Sequence, residues 1–359
     1  MKKTLLLSSF VLAACSAPAS FAEDSLVVVS WGGAYEDAQR TAILEPYAGQ
    51  SGIVPSIMRH SGSLNELRDR AQAESWDVID MQRDHAITAC EQGWLLETDF
   101  RVVVSAYDGL QPEEDFVDGA FLDCSVVQNL YATVVAYDDR AYPGVKPSRI
   151  NDFFDIENFP GKRALPKSPD AVLEWALLAI GVPAIQVYDL LSTDRGLRLA
   201  FRKLDEIRDS IIWWTDVSDA EKLLQDGRAA MASGFNGRFF SASHDRGAPI
   251  SIVWDGRIIG YEVWAIYAKT DQEELAKEFV DFATSPAQLA RLAEIIPYGP
   301  ARNSAFLRIG KNSVSGTPMS DHLPNAPHHQ GRAIFRDSEW YSKTASLRLR
   351  RFEDWLEGN

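Results

Sequence analysis

Several stretches of this chain place aromatic, acidic, amide, hydroxyl or arginine side chains close to a turn. They are Trp31-Gly32-Gly33-Ala34-Tyr35, His60-Ser61-Gly62, Gln82-Arg83, Trp213-Trp214-Thr215-Asp216, Phe235-Asn236-Gly237-Arg238 and Glu262-Val263-Trp264. Aromatic faces with a carboxylate make a box for an ammonium group, through cation–π attraction and a charge-assisted hydrogen bond. A buried pair of that kind can cost more in desolvation than it returns, so it suits selectivity more than raw affinity. The Arg238 guanidinium fork matches a carboxylate in two-point contact. If it faces the same space, the partner carries an acid as well as an amine, as a γ- or δ-amino acid does. If it pairs with a protein acid elsewhere, a diamine or polyamine fits, held by Glu262 and Asp216 at its ends. Structural roles are the alternative: Arg238 as a solvated helix-start residue, Glu262 as an ion-pair partner.

The elements that would carry these residues are legible in the patterning. Ser25–Ser30 is a β-branched run, Gly32-Gly33 a turn, and Ala34–Tyr47 has helical spacing. Strand, glycine turn and helix make one unit of a parallel α/β sheet. The unit repeats at Ile53–Met58 with Leu64–Ala73, and at Trp76–Met81 with Asp84–Gln92. After a long β-rich run, Val126–Tyr137, a second alternating set follows through Ile211–Trp214 and Ala229–Ser233, and a returning β-rich run spans Ile258–Tyr267. The spacing predicts helices over 273–284, 286–295 and 340–356. Alternation of this kind predicts an α/β chain in two units, each a mainly parallel sheet with helices on both faces. The site residues then fall at strand carboxyl ends, where open α/β sheets bind ligands. Glycines there let backbone approach closely, which is the role expected of Gly33.

With 46% apolar and 24% charged residues in 359, the chain is neither disordered nor a coiled coil. Its formal charge is −15. An acidic body is repelled by phosphate backbones and anionic lipid, which argues against nucleic acid or a bilayer as partner. Residues 1–22 have the layout of a secretory signal: Lys2 and Lys3, an apolar stretch from Leu5 to Ala14, and small residues ending Ser20-Phe21-Ala22. The apolar stretch falls short of the roughly 20 residues a membrane span needs. Without the leader the count is 34 basic against 51 acidic residues, or −17. Leu12-Ala13-Ala14-Cys15 also fits a lipobox, in which Cys15 would be acylated and retained. If Cys15 leaves, Cys90 and Cys124 remain, and an even pair in an exported chain is read as a disulfide, with two buried free thiols as the alternative.

Enzyme signatures are missing. No GxGxxG, HExxH or GxSxG occurs, and Gly310-Lys311-Asn312 lacks both the first glycine and the Ser or Thr of a phosphate loop. His328-His329 are neighbours, a spacing that chelates from neither helix nor strand. No cofactor or metal is expected.

Taken in order, SWGGAYEDAQ (Ser30–Gln39), ACEQGWL (Ala89–Leu95) with Cys124, VVAYD (Val134–Asp138), LEWALLAIGVP (Leu173–Pro183), IIWW (Ile211–Trp214), FNGR (Phe235–Arg238) and IPYGPARNSA (Ile296–Ala305) resemble the extracellular solute-binding proteins of bacterial ABC importers, in the branch containing the spermidine/putrescine-binding proteins. The resemblance implies two lobes, 23–135 with 268–359 and 136–267, joined by crossover strands. It implies a periplasmic, non-enzymatic and monomeric receptor that clamps a small cationic or zwitterionic solute by hinge closure and delivers it to a membrane permease. Carried over by position, Trp31, Tyr35 and the glycine turn wall the site from one lobe, and Trp213, Asn236 and Arg238 from the other. Glu262 stands where amine-gripping relatives commonly carry Asp, two residues before Trp264. Ser61, Gln82 and Asp216 complete the expected set. Other solutes (a sugar, thiamine, a metal) and a periplasmic enzyme on the same fold are the competing readings.

Overall fold

In the computed structural model, residues 25–358 other than Pro327 and Gln330 are described; the leader and Cys15 lie outside them. Ten strands form one sheet: β1 (Val27–Ser30), β2 (Ser56–Arg59), β3 (Val78–Gln82), β4 (Ser125–Asp138), β5 (Arg163–Pro166), β6 (Ile211–Trp214), β7 (Met231–Phe235), β8 (Ile250–Ile266), β9 (Gly299–Pro300) and β10 (Ala333–Phe335). The order is β2-β1-β3-β8-β4-β7-β5-β6, with β9 on β4 and β10 on β8. β1 pairs parallel with β2 and β3, and β5 pairs parallel with β6 and β7. The two long strands between these groups, β4 and β8, run antiparallel to each other and to their outer neighbours β7 and β3.

Two parallel sets joined by two long strands give more than one core. One buried cluster draws on residues from Leu26 to Tyr131 and from Val263 to Ala305. A second takes over within β4 at Val135 and includes the apolar helix Val172–Ala179. A third packs the helix Asp219–Gln225 through Leu223 and Leu224 against Ala132 and Val134. β4 thus leaves the first cluster at Tyr131 and enters the second at Val135. The carboxyl end does not follow the expected lobes: helix Ser338–Glu357 buries Phe352 and Trp355 in the second cluster, while its Ser342 hydroxyl meets that of Thr88 at 2.7 Å. Its apolar stripe is broad enough to touch both units, so residues 338–357 tie them together instead of belonging to the first.

Helix boundaries follow local chemistry. Leu64–Ala73 starts at Ser63, whose hydroxyl accepts from the Glu66 amide, and Ser338–Glu357 starts at Asp337, which accepts from Trp340. Cys90 and Cys124 are disulfide-bonded, with Cα atoms 5.8 Å apart. No helix among the described residues is long and apolar enough to cross a membrane.

Candidate functional site

β1 ends at Ser30, and the chain reverses through Gly32 and Gly33, whose φ values of 73° and 63° are open to glycine at little cost. This brings helix Gly33–Gln39 back with Tyr35 in its first turn and leaves Trp31 at the strand mouth. The Trp31 ring packs on His60 with centroids 4.4 Å apart, and covers Gly62 so closely that a Cβ there would stand 2.4 Å from Cζ3. Its Nε1 donates to Glu262 Oε2 at 3.2 Å. Glu262 reaches the same place from β8, where it pairs in register with Gln82 of β3.

The opposite wall comes from helix Asn236–Phe240, which follows β7 directly. Arg238 Nη2 donates to the Gly32 carbonyl at 3.2 Å, and Nη1 lies 2.7 Å from the position a Cβ on Gly33 would take. A side chain from the second unit thus rests on the glycine turn of the first. The pocket between them measures about 340 Å³ counting its mouth, and is lined by Trp31, Tyr35, Gln82, Tyr131, Val217, Phe235, Arg238, Glu262 and Tyr298. Tyr298 meets Tyr35 edge-on at 5.2 Å, and Tyr131 meets Phe235 at 5.4 Å.

Two ionisable side chains of opposite sign face this pocket without a protein counter-charge. Glu262 is 6% exposed and Arg238 7%. Among the described residues neither has an ion-pair partner within 4.0 Å. Burial, then the charge of Asp80, push Glu262 well above the usual carboxylate range; the Trp31 hydrogen bond works the other way. Burial lowers His60 to about 4 and raises Tyr35 and Tyr298, so none of these adds charge near neutral pH. The His60 ring is fully used: Nε2 bonds the Asp80 carbonyl at 2.8 Å and Nδ1 accepts from the Gly62 amide at 3.0 Å.

Five of the eleven expected residues line the pocket: Trp31, Tyr35, Gln82, Arg238 and Glu262. Gly33 serves it indirectly by making room for Arg238. The other five lie elsewhere. Trp264 is buried in the first core, edge-on to Phe279 at 5.6 Å. Two residues along a strand is roughly 6.6 Å, enough to carry a side chain on the same face from pocket to core. Trp213 packs on Phe352 and Trp355 of the last helix. Ser61 is turned to Glu66, and Asp216 accepts from the Ser218 amide and hydroxyl at 2.8 and 2.7 Å. Asn236 is wholly buried, its Oδ1 accepting from the Ala132 amide at 2.9 Å and its Nδ2 donating to the Pro297 carbonyl at 2.8 Å. It therefore fixes the Arg238 turn against β4 and against the segment carrying Tyr298. Tyr131, Val217 and Tyr298 were not expected, and Phe235 only as part of the Phe235–Arg238 stretch; Tyr298 lies inside the IPYGP stretch and Val217 directly after Asp216.

The model of the family described as bacterial extracellular solute-binding protein matches residues 43–319. A gamma-aminobutyric acid-binding protein of Pseudomonas aeruginosa is 30% identical over 97% of this chain and 95% of its own length. Among solved structures, an ABC transporter substrate-binding protein from Bradyrhizobium japonicum is 29% identical, with a TM-score of 0.79 over 92% of this chain and 99% of that one. The Atu4243 GABA receptor is 27% identical, with a TM-score of 0.74 over 92% of this chain and 97% of its own. The family model spans β2 to β9 and every pocket-lining residue but Trp31 and Tyr35, and on these matches the chain belongs to the bacterial extracellular solute-binding proteins.

Proposed function

We propose that this protein is the periplasmic receptor of an ABC importer for a small zwitterion with an ammonium at one end and a carboxylate at the other, γ-aminobutyrate being the type. The observation that carries this reading is the pairing of Glu262 and Arg238 in one pocket, both buried and both without a protein counter-charge. Each would cost several kcal/mol to hold charged and alone, and a solute with both charges relieves both at once. A diamine would set an ammonium against Arg238, and a sugar would leave both charges unmet. The names of the relatives from Pseudomonas aeruginosa and of the Atu4243 receptor support the same chemistry.

In this reading the Trp31, Tyr35 and Tyr298 rings flank the ammonium held by Glu262, and Arg238 takes the carboxylate in two-point contact. Because Glu262 stands on the joining strand β8 against β3 of the first parallel set, and Arg238 on the helix after β7 of the second, solute binding favours their approach, and the closed form is the one presented to the permease. No bond is made or broken, and the protein acts as a monomer. A thermal-shift panel of γ-aminobutyrate, 5-aminopentanoate, putrescine, spermidine and glucose tests the proposal. The melting temperature rises with the ω-amino acids, and Glu262→Gln or Arg238→Met removes the rise. A response to glucose or to the polyamines with none to either amino acid overturns it.

A further inference from the structure

Beneath Glu262 lies a second carboxyl that does not line the pocket. Asp80 sits on β3 two residues before Gln82, hence on the same face, and is 0% exposed. Its Oδ2 accepts from Gln39 Nε2 and, at 3.3 Å, from Ser30 Oγ, while its Oδ1 has no partner among the described residues. Asp80 and Gln82 of β3 pair in register with Trp264 and Glu262 of β8, so the two acids stand diagonally on one face of adjacent strands, within reach of each other's charge, and neither has a Lys, Arg or His at ion-pair distance among the described residues. Two carboxylates enclosed in this way cannot both ionise without a cation between or beside them.

The other titratable and charged groups facing the pair do not supply that cation. Tyr35 lies on the helix after the glycine turn, Tyr131 on β4 and Tyr298 on the segment before β9; burial holds all three above the ordinary phenol range. His60 is neutral. Asp84 and Arg336, behind Glu262, neutralise each other at 3.0 Å, with Asp170 also on the arginine. Arg238 holds the far wall. An excess proton near the ammonium end of the pocket therefore resides on one of two acids.

We propose that Asp80 and Glu262 share one proton in the empty pocket, and that an entering ammonium group takes the proton's place, making Asp80 the hidden residue that sets the requirement for a cation. The inference rests on the zwitterion reading given above. The balance is simple: the empty pair holds one proton and one negative charge, and the occupied pair holds two negative charges beside one ammonium. The displaced proton leaves to solvent, and the net charge of the ensemble of groups is unchanged. Asp80 acts through Glu262 and is a positioning residue, not a contact of the solute. Consistent with this arrangement, burial pushes Asp80 up to about 7.

Calorimetric titration with γ-aminobutyrate at pH 7, in phosphate and in Tris, counts the protons exchanged. The wild type is expected to release between about half and one proton per solute, and its affinity to fall by up to about tenfold for each pH unit below neutrality, where protons compete with the ammonium. In Asp80→Asn the release falls and the affinity flattens with pH. Heats independent of buffer in the wild type, or an unchanged release in the variant, overturn the proposal. A solute-free measurement separates it from the solute assignment. The melting temperature of the empty wild type, relative to Asp80→Asn, should fall as pH rises from 5 to 8, because a raised acid stabilises when protonated and loses that contribution on ionising. A difference independent of pH contradicts the shared proton whatever the solute is. The slope without any γ-aminobutyrate binding keeps the acid pair and contradicts the zwitterion reading.

Discussion

Arg238 occupies the space that a side chain on Gly33 would fill, with Nη1 2.7 Å from the Cβ position. The glycine also carries φ 63°, a conformation costing other residues about 1–2 kcal/mol. Gly33→Ala is therefore expected to lower stability by roughly that amount and to weaken solute binding at least about tenfold by displacing the guanidinium. Chemical denaturation and titration of one variant read the two effects separately.

Trp31 and Trp264 flank Glu262 in opposite senses, one in the pocket and one in the core. Trp31→Leu should cost affinity, about 1–2 kcal/mol if its face meets the ammonium, and little stability. Trp264→Leu should cost about 2–4 kcal/mol of stability and leave the affinity of the folded fraction within a few-fold. Equal losses of affinity would put both rings at the solute.

Arg336 joins Asp84, on the helix after β3, to Asp170, ahead of the helix Val172–Ala179, at 3.0 and 3.2 Å. Burial opposes the charge of both acids, and the arginines beside them overcome it: Arg336 for Asp84, Arg348 and Arg336 for Asp170. Both acids thus titrate below the ordinary carboxylate value, so their contribution is present above that value and is lost as pH falls through the folded one. Arg336→Met should cost about 3–5 kcal/mol at pH 7, with the deficit shrinking towards pH 3. Urea unfolding at the two pH values measures this.

The Cys90–Cys124 bridge closes a loop across 34 residues of sequence separation. Replacing both cysteines by alanine should lower stability by about 2–4 kcal/mol, since the unfolded chain regains that loop's freedom. Neither sulfur lines the pocket, so the affinity of the folded double variant should match the wild type.

Much of the fold is written in periodicity. Leu64–Ala73, Ile211–Trp214 and Pro286–Ile295 occur at the bounds their spacing predicts. β8 begins eight residues earlier than its apolar run, because Asp255 and Arg257 interrupt the pattern. Their burial becomes affordable only through partners far away in sequence, Arg332 for Asp255 and the Pro324 carbonyl for Arg257. Pocket residues at strand ends were legible because strand, glycine and helix announce a ligand-binding edge. Tyr131, inside β4, looks like ordinary core alternation, and Tyr298 arrives on a loop whose path nothing local specifies. Asp80 lies within a β-rich run as a single acid, and only the paired strand reveals its neighbour Glu262.

The measurement that bears most directly on the zwitterion reading is calorimetric comparison of γ-aminobutyrate with its two half-molecules, butylamine and butyrate. With Glu262 and Arg238 both engaged, the amino acid should bind at least about a hundredfold more tightly than either half, a difference of about 2.7 kcal/mol. Butylamine or putrescine binding as tightly as γ-aminobutyrate would contradict it, because Arg238 would then have no part in recognition.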